Sequence, residues 1–412
     1  MKVLEFKFHP RVKEFEVQGI KMIGNLVNGS IIGLDDKGKK LIELINQGIV
    51  NSKESLDEEE TQLIDFMVDR GFFTEEITNL KAAYVHLTDR CNLHCVGCYS
   101  FVEERNTKDV LPYDSICFIL KQLKLNGAEQ IVFSGGEPFI RKDIVDICKF
   151  AKNDAKITNL HVITNGTMDY EKYVDAFPFI DELNISIDGF NEETQFIRDK
   201  GIMTKVIKNI NYLKTKVPVS LIATIHSQNI KYVDKYLQLS KELGVGLSFS
   251  IFTVDPNDLM FKDFIFDNKG LLDFSNKILN LDKNVQILDM PTGEFELSCR
   301  RSCEVGKELI SIGADGSIYP CHMLHDEELT FGSIFEISLK EALSNSDTPF
   351  RNLEVDNVNG CKDCEYKYLC GGGCRGRSWL YSKSFHEKDS YCPFIKNYYR
   401  NTISRLKESL HA

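Results

Sequence analysis

The sequence is short of several things, and each shortage removes a class of function. Its 412 residues include 50 Lys or Arg against 61 Asp or Glu, a formal net charge of −11. Without a basic excess it lacks the charge that non-specific binding to nucleic acid or anionic membrane requires. No stretch approaches the roughly 18 apolar residues of a membrane span. Met1 to Phe15 alternates charged and apolar residues with no continuous apolar segment, so no targeting signal and a cytoplasmic, reducing location are expected. Repeats, low-complexity tracts and a Pro-rich linker are all missing. Cysteine is sparse too. The 13 cysteines are about 3% of residues, well below the roughly 8–10% of small secreted disulfide scaffolds. Their odd number would leave a thiol over if all were paired. The apolar content of 42% supplies a core for two or three domains. A chain this large needs no disulfide staples, so bunched cysteines point to metal or redox chemistry.

Residues 1–79 read as a small module. Val12 to Met22 alternates like strands, and Val27-Asn28-Gly29-Ser30-Ile31 predicts a two-residue type I′ hairpin. Leu41, Ile42, Leu44 and Ile45 form a helical stripe stopped by Gly48. A second helix opens with Asp57 and Glu60 in capping-box spacing and stops at Gly71. Hairpin strands plus short helices suggest a winged-helix-like domain. The first 80 residues carry 10 basic against 15 acidic side chains, which argues against DNA binding. Residues 80–252 alternate strand and helix, with strand-like runs at Ala83–Leu87, Gln130–Phe133, Leu160–Ile163, Leu183–Ile187, Val219–Ile225 and Leu247–Ile251. Strands separated by helices predict a parallel α/β sheet, here an open or partial (β/α)6 barrel with functional residues at the C-terminal strand ends. Residues 253–298 have no strong pattern and read as a bridge. Residues 299–412 contain eight of the cysteines and end in a helix over 393–410.

Cys91, Cys95 and Cys98 are spaced C-x3-C-x2-C directly after the first barrel strand. Three thiolates on one loop suit three corners of a 4Fe–4S cube, leaving one iron open. Zinc is the alternative, with His94 or His86 as fourth ligand. Ser134-Gly135-Gly136-Glu137-Pro138 follows the second strand. Its glycines permit close approach of a ligand, and Glu137 can accept from an ammonium group. Together these runs resemble the cysteine motif and the Gly-Gly-Glu-Pro motif of the radical S-adenosylmethionine (SAM) superfamily. The resemblance implies an open iron that chelates the amino and carboxylate groups of SAM. It places Gly135, Gly136 and Glu137 at the methionine amine, with Ser134 beside them as a cofactor contact, and Ser186 and Asp188 at the ribose. Arg198 would pair with the carboxylate, and Asn165 is a further contact. Gly97 stands where the family often has an aromatic residue, so an adenine contact there would come from backbone.

The C-terminal spacing runs Cys303-x12-Gly316-x4-Cys321, then Cys361-x2-Cys364-x5-Cys370-x3-Cys374-x17-Cys392, with Cys299 just upstream. Eight thiolates suffice for two 4Fe–4S clusters, and a pair of four-cysteine zinc sites is the alternative. Asp315-Gly316 suits a short hairpin. The pattern resembles the SPASM extension of radical SAM enzymes. That likeness implies auxiliary cluster I on Cys299, Cys303, Cys321 and Cys374, and auxiliary cluster II on Cys361, Cys364, Cys370 and Cys392. If Cys299 does not bind, cluster I has an iron open to a substrate thiolate. Cys117 and Cys148 sit on apolar helix faces and read as core.

Beside these domains, residues 1–79, with Gly33-Leu34-Asp35-Asp36-Lys37-Gly38 before the first helix, resemble a RiPP recognition element, which captures the leader of a ribosomal precursor peptide by strand addition. The whole is similar to thioether-forming peptide maturases of the sactipeptide and ranthipeptide type. That likeness implies SAM, three 4Fe–4S clusters, a precursor-peptide substrate and an external one-electron donor such as flavodoxin or ferredoxin. A 5′-deoxyadenosyl radical would abstract hydrogen from the peptide. Carbon–carbon crosslinking is the main alternative. Sulfatase-maturase chemistry is disfavoured because the residue after Cys321 is His322, where that family tends to carry Asp. His322 is a weak candidate proton acceptor. An iron–sulfur winged-helix regulator is the reading from another class.

Overall fold

The computed structural model describes residues 6–74, 79–103, 105–107, 111–281, 285–288, 297–344, 350 and 353–410. Strands β1 (Val12–Val17), β2 (Ile20–Asn25) and β3 (Ile31–Leu34) form an antiparallel sheet, followed by α1 (Asp36–Asn46) and α2 (Glu58–Asp69). Asp35 caps α1 by accepting from Gly38 N, and Asp57 and Glu60 make the reciprocal capping box of α2. Ile23, Leu41, Ile42, Ile45, Ile64 and Met67 close a core of their own. The expected Asn28-Gly29 hairpin is not formed. A wider loop joins β2 to β3, and of that pair only Gly29 has positive φ (+86°). Asn25 Nδ2 donates to Gly71 O (3.0 Å) and Asn28 Nδ2 to Arg70 O (2.8 Å). These bonds pin the loop to the end of α2. The tight turn lies at Gln18-Gly19, with φ of 50° and 82°, the type I′ signature.

The main sheet holds six parallel strands in sequence order. They are β4 (Ala82–Thr88), β5 (Gln130–Gly135), β6 (Asn159–Thr164), β7 (Glu182–Ile187), β8 (Val219–Ile225) and β9 (Gly246–Ile251). The crossovers are α3 (Tyr113–Leu125), α4 (Ile144–Asn153), a kinked 3-10 segment (Tyr170–Phe179), α5 (Met203–Leu213) and α6 (Val233–Leu243). Ala83, Val85, Leu87, Ile131, Phe133, Leu221, Ala223 and Phe249 are fully or almost fully buried. The alternate positions, among them Tyr84, His86, Ser134, Ser186, Thr224 and Ser250, face the concave side. Parallel sheets covered on both faces read as continuous apolar runs. Apolar-out, polar-in alternation therefore marks a concave face that surrounds something polar.

Residues 253–298 are more regular than their sequence suggested. They include α7 (Asn268–Ile278) and a further parallel strand, β10 (Val285–Ile287), paired with β9; residues 282–284 and 289–296 lie outside the described residues. Asp267 caps α7 by accepting from Gly270 N, and Leu271, Phe274 and Ile278 bury its inner face. At the other edge β11 (Leu309–Ile312) adds parallel to β4. It turns at Asp315-Gly316 into β12 (Ile318–Tyr319), so the Cys-rich region is joined to the sheet. Short helices α8 (Leu339–Ser344), α9 (Lys367–Cys370) and α10 (Arg375–Ser382) lead to α11 (Cys392–Leu410), which packs on α7 through stacked Phe274 and Phe394 (5.3 Å). The Gln18 turn seats the N-terminal module on this region. Gln18 Nε2 donates to Tyr366 Oη (3.1 Å) and Arg400 O (2.8 Å), and Lys407 Nζ donates to Gln18 O (2.7 Å). Among the described residues no helix is long and apolar enough to cross a membrane.

Candidate active site

The cysteine loop leaves the C-terminal end of β4, and the end of β5 closes on it. Gly136 N donates to Thr88 O (2.7 Å) and Glu137 N to Arg90 O (2.8 Å). A Cβ on Gly136 would sit 2.1 Å from Arg90 O, and one on Gly135, at φ +112°, 2.4 Å from Thr88 O. The glycines therefore make room first for the backbone that carries the cysteines. Gly97, at φ +66°, has the Phe252 ring where a Cβ would go, at 2.4 Å.

Cys91, Cys95, Gly97 and Cys98 line a cavity of about 210 Å³ together with Ser134, Gly135, Gly136, Asn165, Ser186 and Arg198. Each of the three sulfurs has its own side-chain N–H donor. Asn165 Nδ2 lies 3.9 Å from Cys91 Sγ, Arg198 Nη1 3.7 Å from Cys95 Sγ, and Arg105 Nη2 3.4 Å from Cys98 Sγ. Two of the donors are guanidinium groups. That set suits anionic sulfur, and donors to sulfur are among the determinants of cluster potential. Among the described residues no three Cys, His, Asp or Glu side chains converge on one ion-sized point; thiolates of a cubane bind different irons and need not. Neither histidine considered for zinc turns to these thiols. His94 faces Asp199 (Nδ1 to Oδ2 3.7 Å), and His86 stacks on His325 (4.1 Å). A larger depression of about 720 Å³ lies at the opposite end of the sheet, beside Lys214, Lys216 and Lys241. It holds no cysteine among its lining residues, so size does not mark the site.

Two expected cofactor contacts lie elsewhere. Glu137 is fully buried and does not line the cavity. Its Oε1 accepts from Thr164 Oγ1 (2.7 Å) and Phe139 N (3.1 Å), and Oε2 from Asn165 N (2.8 Å). Burial pushes its carboxyl up to about 7, against the downward pull of those donors. Asp188 is also buried outside the cavity lining; its Oδ2 accepts from the amides of Phe196, Ile197 (2.5 Å) and Arg198 (3.2 Å). Both carboxylates brace backbone near the site. Sequence reasoning missed Arg105, which is buried and also donates to Leu93 O (3.2 Å). It stands in a charged run, Glu103-Glu104-Arg105, that resembles any solvated surface. Tyr99, whose hydroxyl meets Ser134 Oγ at 2.5 Å, was missed too; its position next to Cys98 was the available signal.

In the C-terminal region Cys361, Cys364, Cys370 and Cys392 line one small cavity. Cys303 and Cys321 pack on the same apolar cluster as Trp379, and Cys374 feels the charge of Cys303. Cys299 lies in neither that cavity nor that apolar cluster. It is buried against the N-terminal module, where its Sγ donates to Ser30 O (3.2 Å) and Asn25 O (3.3 Å) and its amide to Gly29 O (2.9 Å). Burial pushes this thiol up to about 12, as it does that of Cys370. Cys148 and Cys117 are buried on helix faces. His322 lines the main cavity, stacks on Tyr84 (4.1 Å) and meets Tyr99 edge-on (5.5 Å). Burial and then His325 pull its imidazole down to about 3, which makes it a poor base.

Comparison with known proteins agrees with this geometry. The sequence profile of the Radical SAM superfamily matches residues 85–240, and that of the SPASM iron–sulfur cluster-binding domain matches residues 303–365. An uncharacterized protein of Archaeoglobus fulgidus is 26% identical over 345 residues, 77% of this chain and 80% of its own length. An AdoMet-dependent heme synthase of Methanosarcina barkeri is 25% identical over 340 residues, 74% of this chain and 94% of its own. Among solved structures, anSMEcpe with bound AdoMet superposes with a TM-score of 0.66 at 19% identity, covering 80% of this chain and 95% of that one. Streptococcus suis SuiB bound to its precursor peptide SuiA gives 0.63 at 16% identity, covering 94% of this chain and 99% of that one. At such identities these two are likenesses of fold.

Proposed function

We propose that this chain, which carries a radical SAM domain followed by a SPASM domain, matures a ribosomally made precursor peptide by joining a substrate cysteine to a peptide carbon through a thioether. The observation that carries the thioether is the placement of Cys299. Its sulfur is committed to two carbonyls of the N-terminal loop. Cys303, Cys321 and Cys374 then remain as three chain ligands for the first auxiliary cluster, and a substrate thiolate completes it. Cys361, Cys364, Cys370 and Cys392 hold the second.

In this reading Cys91, Cys95 and Cys98 hold the SAM-binding cluster. Gly135 and Gly136 face the methionine amine, Ser186 the ribose, and Arg198 the carboxylate, with Asn165 beside them. When bound, cluster and SAM supply reductive cleavage of the sulfonium and a primary carbon radical able to take hydrogen from an unactivated carbon, with the electron coming from a donor such as flavodoxin or ferredoxin. The chain's own work is orientation and exclusion. Asn165, Arg198 and Arg105 hold the sulfurs, and the glycine turn sets the ligand against backbone. The walls Ile222 and Phe252 keep water from the reacting carbon.

The N-terminal module supplies the substrate. Among the described residues β3 pairs with β2 alone, so a leader strand adds to its free edge by main-chain hydrogen bonds. The Gln18 contacts then tether the peptide near the mouth of the sheet and raise its effective concentration there. The SuiB superposition extends over 94% of this chain, against 80% for anSMEcpe, which supports a reading that uses the N-terminal module.

The test is anaerobic incubation of the iron-loaded protein with SAM, reductant and candidate Cys-rich precursor peptides from neighbouring reading frames. A thioether product loses two hydrogens and one alkylatable thiol together. Loss of two hydrogens with every thiol intact would replace the thioether by a carbon–carbon crosslink. No modified peptide with any such precursor, despite SAM cleavage, would overturn the maturase reading.

A further inference from the structure

His226 follows β8, in no sequence motif discussed so far, and does not line the cavity. Its Nε2 lies 3.5 Å from Asp188 Oδ1, with both side chains fully enclosed. Neither atom makes a hydrogen bond, with the other or with a third group, so this proximity is the one polar contact each has among the described residues. His226 Nδ1 accepts from Gln228 N (3.2 Å), which leaves the ring proton of the neutral tautomer on Nε2, facing the carboxylate. The rings of Phe264 (5.1 Å), Phe196 (5.4 Å) and Phe252 (6.1 Å) wall the imidazole. In such surroundings the Asp188 carboxylate is the polar group His226 Nε2 faces among the described residues, and removing either side chain would leave the other buried without a polar neighbour at that atom.

The other oxygen of Asp188 holds the amides of Phe196, Ile197 and Arg198. That turn in turn holds the cysteine loop. Ile197 O accepts from Val96 N (2.7 Å), Asp199 Oδ1 from His94 N (3.0 Å), and Arg198 Nη1 reaches Cys95 Sγ (3.7 Å). A chain of contacts therefore runs from one enclosed imidazole to the loop between Cys91 and Cys98.

We propose that His226 is a positioning residue: by fixing the Asp188 carboxylate it sets the 196–198 turn, and through that turn the register of Arg198 and the cysteine loop toward SAM. The proposal deepens the radical SAM reading of the same site and rests on it. It assigns Asp188 the work of a brace, in place of a ribose contact.

Three variants and two readouts test it. His226→Phe keeps the ring's shape and removes the donor, whereas His226→Gln keeps an N–H donor. Amide hydrogen exchange is followed in the full chain as isolated, and SAM affinity by calorimetry after anaerobic cluster loading. His226→Phe should raise exchange at 94–98 and 194–199 by about tenfold or more and weaken SAM binding by a similar factor, the scale of one lost buried polar contact. Exchange in β5, β6 and α11 should not change, and His226→Gln should recover most of both effects. Wild-type exchange in His226→Phe, a rise spread over the whole sheet, or a His226→Gln as impaired as His226→Phe would each overturn the proposal. If His226→Phe does not fold, Asp188→Asn takes its place with the same local-versus-global criterion. A wild-type protein that binds no SAM defeats the functional reading instead, and the exchange result then judges the brace alone.

Discussion

The two cysteine regions are built on opposite plans. The loop of Cys91, Cys95 and Cys98 borders a cavity, and its sulfurs are steadied from outside by Asn165 at the end of β6, Arg198 after β7 and Arg105 downstream in the loop. The C-terminal cysteines are steadied from within. Gly371, Gly372 and Gly373 all take positive φ to wrap the chain tightly. The buried pair Arg377–Asp389 sits among them, with Nε to Oδ1 at 2.6 Å and Nη2 to Oδ2 at 2.8 Å, and Asp389 Oδ2 also accepts from Cys374 N (2.7 Å). The difference is in how each sulfur set is steadied. A sulfur set that borders a cavity and is held by side chains from three separate segments suits a cofactor that enters and leaves. A set wrapped in glycine turns around a buried ion pair suits resident clusters.

The largest effect that can break this contrast is removal of the open site. Replacing Cys91, Cys95 and Cys98 together with Ala should abolish SAM cleavage and leave about eight of about twelve irons per chain. Iron analysis that finds twelve, or none, would show that the two regions do not load independently. Next is the ion pair. Arg377→Met strands a buried Asp389 carboxylate and should cost about 3–5 kcal/mol, read from denaturant midpoints. A cost under about 1 kcal/mol would mean the pair does not brace that region.

Glu137 gives a smaller, pH-dependent test of how the open site is braced. Burial raises its carboxyl from an ordinary 4.5 to about 7, so the folded chain keeps a proton that the unfolded chain has lost. The resulting stability is complete below the unfolded value and is lost as pH rises through about 7; it amounts to about 3 kcal/mol for a shift of this size. Glu137→Gln should therefore flatten the melting temperature between pH 5 and 8. A variant that keeps the wild-type slope would place the titration elsewhere. The smallest effect is expected at Cys299. Cys299→Ala removes a packed thiol and should lower stability by about 1–2 kcal/mol with no loss of iron. Loss of about four irons would return Cys299 to the first auxiliary cluster and remove the support for a thioether.

Much of this was legible in the residues. The six strands β4 to β9 stand within a residue or two of their apolar runs, because alternation survives where one face is polar. The capping box of α2 was readable for the same local reason. The direction of a side chain was not. Glu137 and Asp188 occupy motif positions, yet each turns to backbone amides, a choice made by turns folded against them. Cys299 is drawn from its neighbours by Asn25 and Ser30, some 270 residues earlier in the chain, and no local spacing encodes that contact. For α7 the signal was present in Asp267, Leu271, Phe274 and Ile278, but Gly270 and the polar residues between them hid the period.

The central claim is that Cys91, Cys95 and Cys98 border a site that cleaves SAM reductively. Anaerobically loaded protein, given SAM and a low-potential reductant, is assayed for 5′-deoxyadenosine. The account predicts its formation by the wild type, with none from the triple Ala variant. A fully iron-loaded wild type that yields none would contradict it.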